Sequence, residues 1–291
     1  MTNVLVTGAT GNVGSRVVQD LGSRGETVRA FVRDPDLASE KLGAGVELAV
    51  GDFSDAASVR RALDGAGTVF LACANDLRQV EYEAGVIDAA AKAGVRRIVK
   101  LSALGAGTGF PVAFWDWHTR IEARLRGSGV PAVVLRPNFY MTNLLGPAEE
   151  AARTGKLFAP AAGARISMVD PGDVAAVAVG VLSGGGNDGE TYTLTGPGTV
   201  TYDEVAEDLS AAAGRKIDFV PVPDEAAREA LAGAGMPEFV AGQIVAVFGA
   251  LRQGAYDRTT NSVRALAGRP PVSLHRFLRD HAHLFRALDP A

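Results

Sequence analysis

The first fourteen residues constrain this chain more than any other stretch. Residues 3–7 form a short aliphatic run of strand type. Gly8, Gly11 and Gly14 follow at intervals of three, and apolar residues then recur at Val13, Val17, Val18 and Leu21, the spacing of a helix. Strand, glycine turn and helix, in that order, are the setting in which a glycine triplet holds a dinucleotide. Such a turn needs backbone free of Cβ atoms so that a pyrophosphate can come close. The helix N-terminus offers that anion unpaired N–H groups and a partial positive charge. With 35 glycines in the chain, three-glycine patterns arise by chance. The weight rests on Val4, Leu5 and Val6 ahead of the triplet and on the helical spacing behind it.

Strands and helices go on alternating through the first half. This predicts a parallel sheet with helices on both faces, a Rossmann-type, doubly wound α/β fold. Strands are expected at residues 27–33, 46–52, 68–74, 97–102 and 131–136. Residues 68–74 are continuously apolar, as a strand buried on both faces requires. Helices are expected over 54–63, through Val80, Ala84, Ile87 and Ala91 with Gly94 as a stop, and through Phe114, His118, Ile121 and Leu125.

Further on the alternation loosens. Residues 147–160 read as helix and loop, 165–169 as a short strand, 173–182 as a helix and 191–195 as a strand. Asp170 and Asp173 read as a loop carboxylate and a helix cap. Thr201 and Glu204 form a capping-box pair ahead of Val205 and Leu209, and residues 217–220 a short strand. Phe239, Ile244, Val247, Phe248 and Leu251 make a helical stripe. Ser273 is expected to cap a last helix with Leu274, Phe277, Leu278, His281, Leu284 and Phe285 inward. Two units follow: a dinucleotide-binding Rossmann domain over 1–146, to which 165–183 return, and a smaller, mainly helical cap over 147–164 and 184–291. The cap is expected to cover the carboxyl edge of the sheet, where such folds bind ligands.

Composition narrows the function. A chain of 291 residues, 47% hydrophobic and 21% charged, is that of a globular protein. Its net charge of −4 gives no electrostatic case for nucleic acid or an anionic membrane as partner. The longest apolar runs, such as 174–182, are too short to span a bilayer. Cys73 is the single cysteine, so no internal disulfide can form. The first strand begins almost at Met1, so no signal peptide and a cytoplasmic location are expected. His281 and His283, two apart, point to different sides of a helix, and no spacing of metal-ligand type occurs; no metal is expected.

The second strand ends in Phe31, Val32, Arg33, Asp34 and Pro35. An acidic residue at such a strand end takes the ribose hydroxyls of NAD, whereas Arg33 there places a guanidinium for the 2′-phosphate of NADP. Asp34 reads as a turn residue before Pro35. NADP(H) is therefore favoured over NAD(H). Asp52 and Phe53 are expected to flank the adenine, and the small Ala72 and Ala74 to leave room along the sheet. With Gly8, Thr10, Gly11, Asn12 and Val13 in the turn, and Ser102, Pro137 and Phe139 at later strand ends, these residues make the expected cofactor set.

The run from Thr7 to Gly14 resembles the cofactor motif of extended and atypical short-chain dehydrogenase/reductases. Residues 33–35, 51–53, 101–103 and 166–170, with the closing stretch 266–271, resemble the NmrA-like branch of that family, and the likeness spans nearly the whole chain. It implies an NADPH-dependent reductase of a quinone or carbonyl, with ketoreductases of aromatic polyketides among the members. The branch also includes NADP(H)-sensing regulators without turnover, which is the alternative. The family's active site is a serine followed by Tyr-x-x-x-Lys. Ser102 matches the serine; Phe114 stands at the tyrosine and His118 at the lysine, with Glu122 one turn further. Ser102 is expected to polarise the carbonyl oxygen and His118 to assist near neutral pH. The opposing reading makes His118 a buried histidine satisfied locally or paired with Glu122. Tyr140 is either a replacement acid or a lining residue.

A site poor in acids favours acceptors whose product anion is already stable. A reduced quinone is a phenolate, with a conjugate acid near pKa ~10, whereas an alkoxide is several units more basic. The expected substrate is therefore a small aromatic, and on this reading polycyclic, quinone or ketone. Phe110, Phe114, Trp115, Trp117, Phe139, Tyr140 and Phe158 supply aromatic surface, and Phe114, Tyr140 and Phe158 are the expected substrate contacts. A protein partner is expected only under the sensor alternative.

Overall fold

Aliphatic runs too short to stand alone assemble here because helices cover them on both sides. The structure, a computed structural model, describes residues 3–43 and 45–285; the outermost residues of the two expected domain ranges lie outside these. Nine strands occur among the described residues: β1 (Val4–Val6), β2 (Val28–Val32), β3 (Glu47–Val50), β4 (Thr68–Leu71), β5 (Arg97–Leu101), β6 (Ala132–Pro137), β7 (Lys156–Ala159), β8 (Thr191–Leu194) and β9 (Asp218–Pro221). Seven form a parallel sheet in the order β3-β2-β1-β4-β5-β6-β8. The order reverses between β1 and β4, which opens a crevice at their carboxyl ends.

One face of the sheet carries α1 (Gly14–Ser23) and α2 (Pro35–Leu42), and the other carries α3 (Ala56–Leu63), α4 (Gln79–Lys92) and α5 (Ala113–Arg126). The chain then leaves the sheet for α6 (Leu145–Thr154) and returns with α7 (Pro171–Leu182), whose Val174, Ala175, Val177, Ala178, Val179 and Val181 are all buried against the α1 side. A third cluster forms the cap, built on α6, β7, α8 (Tyr202–Ala213), β9, α9 (Asp224–Gly233), α10 (Glu238–Arg252) and, after α11 (Ser262–Ala267), α12 (Leu274–Asp280). The Thr201–Glu204 capping box and the Ser273 cap both form.

Several expectations need correcting. β8 is the seventh strand of the main sheet, and Val263 of α11 shares the core of α7, so parts of 184–291 belong to the Rossmann layer and not to the cap. Residues 156–159, expected as loop, pair in parallel with β9. Residues 165–169 make only isolated bridges, Ile166 with Val200 and Val169 with Tyr140. The buried stripe of α4 is Gln79, Glu83, Val86, Ile87 and Ala90, offset from the expected one by polar residues in core positions. Phe239 and Leu284, expected inward, are exposed.

Both aspartates differ from their expected roles. Asp170 caps α7, accepting from the Gly172 N–H at 2.9 Å. Asp173 is fully buried, paired with Arg269 at 2.5 Å and accepting from the Val272 N–H at 2.7 Å, so it ties α7 to the stretch after α11. The same two helices meet at Gly180, where a Cβ would lie 2.3 Å from the Leu266 carbonyl oxygen. Gly180→Ala must push α11 away, at a cost of about 1–3 kcal/mol. A thermal melt should show a midpoint several degrees lower, and an unchanged midpoint would refute this contact.

Candidate functional site

The glycine turn sits where the sheet order reverses. Thr7 bridges β1 and β4: its hydroxyl donates to the Ala72 carbonyl and accepts from the Ala72 N–H, both at 2.9 Å. Gly8 takes a φ of +59°, in the left-handed region that favours glycine. Gly14 has no room for a side chain, since a Cβ there would lie 2.2 Å from the Gly8 carbonyl oxygen. Val13 is buried at the head of α1 and no side chain caps that helix. That leaves the helix start without a side-chain cap, the Ser15 N–H bonding back to the Gly11 carbonyl at 3.0 Å, beside half-buried Thr10 and exposed Gly11 and Asn12.

At the adenine end, Asp34 caps α2 through the N–H groups of Asp36 and Leu37, both at 3.0 Å, which removes it as a ribose ligand. Arg33 is exposed, and its charge acts on Asp52. The Asp52 carboxylate accepts from the Ser54 N–H at 2.8 Å and the Ser54 hydroxyl at 2.5 Å, which hold it below the usual carboxylate range. Gly51 is required before it, because a Cβ would reach Ser58 at 2.5 Å. Phe53 packs edge-on to Phe31 and stacks with Tyr82 at 6.0 Å, and the Arg78 guanidinium lies over Tyr82 at 4.9 Å. An uncapped helix, a turn without Cβ atoms and a free guanidinium at the end of β2 fit an adenosine dinucleotide carrying a further phosphate. Past β4, Ala72 is buried and Ala74 exposed. Between them burial pushes the Cys73 thiol up to about 12, so it stays protonated and unreactive.

Ser102 and His118 do not meet in one constellation. The buried Ser102 hydroxyl donates to Glu122 Oε1 at 2.6 Å. Arg136, on β6, holds the same carboxylate with a two-pronged grip, Nε to Oε1 at 2.9 Å and Nη2 to Oε2 at 2.6 Å. Burial works to raise the Glu122 carboxyl. The hydrogen bonds from Arg136 and Ser102, with the charges of Arg136 and Arg126, outweigh it and hold the group below its ordinary value. The serine proton is therefore committed to a carboxylate, and Ser102 offers the crevice lone pairs, not a donor.

His118 pairs with a residue the sequence reading passed over. Lys100, fully buried on β5, places Nζ 3.4 Å from His118 Nδ1 and 2.8 Å from Glu83 Oε2. The other Glu83 oxygen accepts from Gln79 Nε2 at 2.9 Å. Burial, then the charges of Lys100 and Arg136, drive the imidazole well below its ordinary value, so His118 stays neutral near pH 7 and is no imidazolium acid. Tyr140 is no better placed, because burial raises its phenol and makes it a weaker acid still. The expected roles of Ser102 as oxygen polariser, and of His118 and Tyr140 as acids, thus conflict with the contacts these groups make.

Aromatic surface does gather at the cap. Phe114 packs against Trp117 at 5.3 Å and Phe239 at 6.4 Å, joining α5 to α10. Phe139 meets Phe248 at 6.1 Å, and Trp115 meets Tyr256 at 5.4 Å. Ala113, in the first turn of α5, donates its N–H to Gln243 Oε1 of α10 at 2.6 Å, a second tie between the two helices. Pro137 is buried at the end of β6, and the Asn138 amide donates to Ser167 at 2.6 Å. Phe158 is half exposed on β7. The Lys100–Glu83 pair left one sequence signal, a charge inside the apolar run Ile98, Val99, Lys100, Leu101. The Glu122–Arg136 grip left none, since exposed strand ends and helix faces carry such residues routinely.

A profile of the NmrA-like family matches residues 1–269. An NAD(P)H azoreductase from Xenophilus azovorans is 34% identical over 98% of this chain and 99% of its own length. A (4-alkanoyl-5-oxo-2,5-dihydrofuran-3-yl)methyl phosphate reductase from Streptomyces griseus is 38% identical over 97% of this chain and 99% of its own length. Among solved structures, the NADPH-dependent quinone oxidoreductase of Escherichia coli complexed with NADPH superposes with a TM-score of 0.89 at 27% identity, covering 97% of this chain and 99% of that one. The turn, the sheet order and these likenesses along the full length agree, and the chain belongs to the NmrA-like family.

Proposed function

We propose that this protein transfers hydride from NADPH to a conjugated, aromatic acceptor whose reduced form carries its own negative charge, with a quinone as the type case. That it is an NAD(P)H-dependent oxidoreductase follows from its family and from reductases matched along nearly their whole lengths. Gly8, Thr10, Gly11, Asn12 and Val13 would hold the pyrophosphate, Arg33 the 2′-phosphate, and Phe53, Ala72, Ala74 and Pro137 the rest of the cofactor. When bound, the cofactor supplies the hydride. The chain's own part is to orient the acceptor against the aromatic surface of Phe114 and its neighbours, to exclude water, and to leave the product anion unprotonated until it departs.

One observation carries the acceptor class: at the positions where the family keeps its serine, tyrosine and lysine, none of the residues present is a ready acid. Ser102 has committed its proton to Glu122, a phenyl ring stands at position 114, and His118 is neutral. Reduction of a plain ketone leaves an alkoxide that must be protonated or strongly stabilised as it forms. A phenolate delocalises the charge into its ring. Quinones and azo compounds are also what two of the similar proteins are described as reducing. The sensor alternative gives no use to the aromatic surface joining α5 and α10, and turnover with any acceptor ends it.

Three outcomes are expected. In steady-state assays of NADPH oxidation, quinones should turn over and simple aliphatic ketones should be slower by orders of magnitude; equal rates would contradict the assignment. Arg33→Ala should raise KM for NADPH about tenfold or more, the loss of a charge-assisted contact, and leave KM for NADH nearly unchanged. Glu122→Gln should cost about 3–5 kcal/mol, because it leaves the Arg136 guanidinium without its buried partner. Its pH signature is specific. A carboxyl held below its ordinary value stabilises the fold fully above the unfolded value of 4.5, and that stabilisation is lost as pH falls through the lower folded value. Denaturant unfolding of the wild type should therefore weaken on acidification below that point, and the variant should show a smaller acid loss.

A further inference from the structure

The Lys100–Glu83 pair calls for a reason beyond stability. Replacing a buried ion pair with apolar residues of similar volume is often neutral or stabilising. Here both members are fully buried, and Gln79 is buried with them, its Oε1 left without a partner. The arrangement around Nζ is specific. Three groups that can only accept from it surround it: the Leu101 carbonyl oxygen and His118 Nδ1 by hydrogen bonds, and Glu83 Oε2 as an ion pair at 2.8 Å that completes no hydrogen bond. An ammonium has three protons and no lone pair, so these groups match it in number and in sign.

That match fixes the histidine. A group that can only donate faces Nδ1, so Nδ1 must be the ring nitrogen without hydrogen, and the proton of a neutral imidazole sits on Nε2. The charged groups around the ring come from every element packed on it: Lys100 on β5, Glu83 on α4, Arg136 on β6 and Glu122 one turn along α5. No described group engages Nε2, and His118 keeps 8% of its surface exposed. A neutral imidazole with cations behind it is a stronger hydrogen-bond donor than a free one, and neutral histidines of this kind polarise carbonyls elsewhere.

We infer that Lys100 is a positioning residue of the reductase site: its ammonium holds His118 in the Nε2–H tautomer, so that the imidazole presents a fixed hydrogen-bond donor to the atom of the acceptor that gains charge. The proton is shared in that bond and not transferred, which agrees with an acceptor that keeps its own anion. The inference rests on the proposed function for the identity of the acceptor, but not for the tautomer.

The experiment separates the two. Only four histidines occur in the chain, so long-range proton–nitrogen correlation spectra of the folded, nitrogen-15-labelled protein can be assigned by comparison with His118→Asn. The wild type should show His118 as Nε2–H, without titration across the neutral range. Lys100→Met/Glu83→Gln removes both charges together and so avoids an orphaned carboxylate. In it the His118 signals should move toward a mixture of tautomers, and kcat with a quinone should fall at least about tenfold, the lower end for one misdirected donor, at little-changed KM for NADPH. Lys100→Arg should recover much of both. Wild-type His118 as Nδ1–H, or a double variant with unaltered tautomer and unaltered kcat, would overturn the inference. If no acceptor turns over at all, the functional proposal fails and the spectra alone decide the role of Lys100.

Discussion

Two carboxylates taken out of water on the α4–α5 side of the sheet govern the site. A buried charge must be paired, and each pairing here recruits the groups that would otherwise do acid–base chemistry. Glu122 draws in Arg136 from β6 and the hydroxyl of Ser102. Glu83 draws in Lys100, whose remaining protons reach a backbone carbonyl and His118. The outcome is a charge-paired wall at the carboxyl ends of β5 and β6, where a short-chain reductase ordinarily keeps a phenol and a lysine. Positive charge stands close by, but behind serine and imidazole.

This wall and the glycine turn divide the work. The turn is built from backbone: an uncapped α1, a left-handed Gly8 and a Gly14 packed against the Gly8 carbonyl make a rigid cradle that no side-chain change elsewhere needs to support. The proposed acceptor class looks instead to the rings of Phe114, Trp117 and Phe239, which join α5 to α10. The buried Asp173, paired with the part-exposed Arg269, anchors the stretch after α11 to α7.

Much of the architecture is legible in the sequence because it rests on local pattern: glycine spacing, continuous apolar strands, capping residues. The Rossmann layer and the Thr201–Glu204 box follow from a few neighbouring residues. What escapes is set by distant pairing. β8 reads as a cap strand because only its partner β6, more than fifty residues earlier, places it in the main sheet. The α4 stripe reads one residue out of phase because Gln79 and Glu83 occupy core positions that apolar patterning assigns to Val80 and Ala84. The same blindness hides the site. Ser102 and His118 are found by position, but their chemistry is decided by Glu122, Arg136, Lys100 and Glu83, none of which is adjacent in sequence to the residue it controls except by one helical turn.

The central claim is that hydride transfer proceeds here without a proton delivered by the protein. Comparing kcat for a quinone in light and heavy water, alongside kcat with NADPH deuterated at the transferred position, tests it most directly. Under single-turnover conditions, the account predicts a rate that falls with the deuterated cofactor and is the same in both solvents. A rate that falls in heavy water as strongly as with labelled cofactor would mean that a proton moves in the same step, and would contradict it.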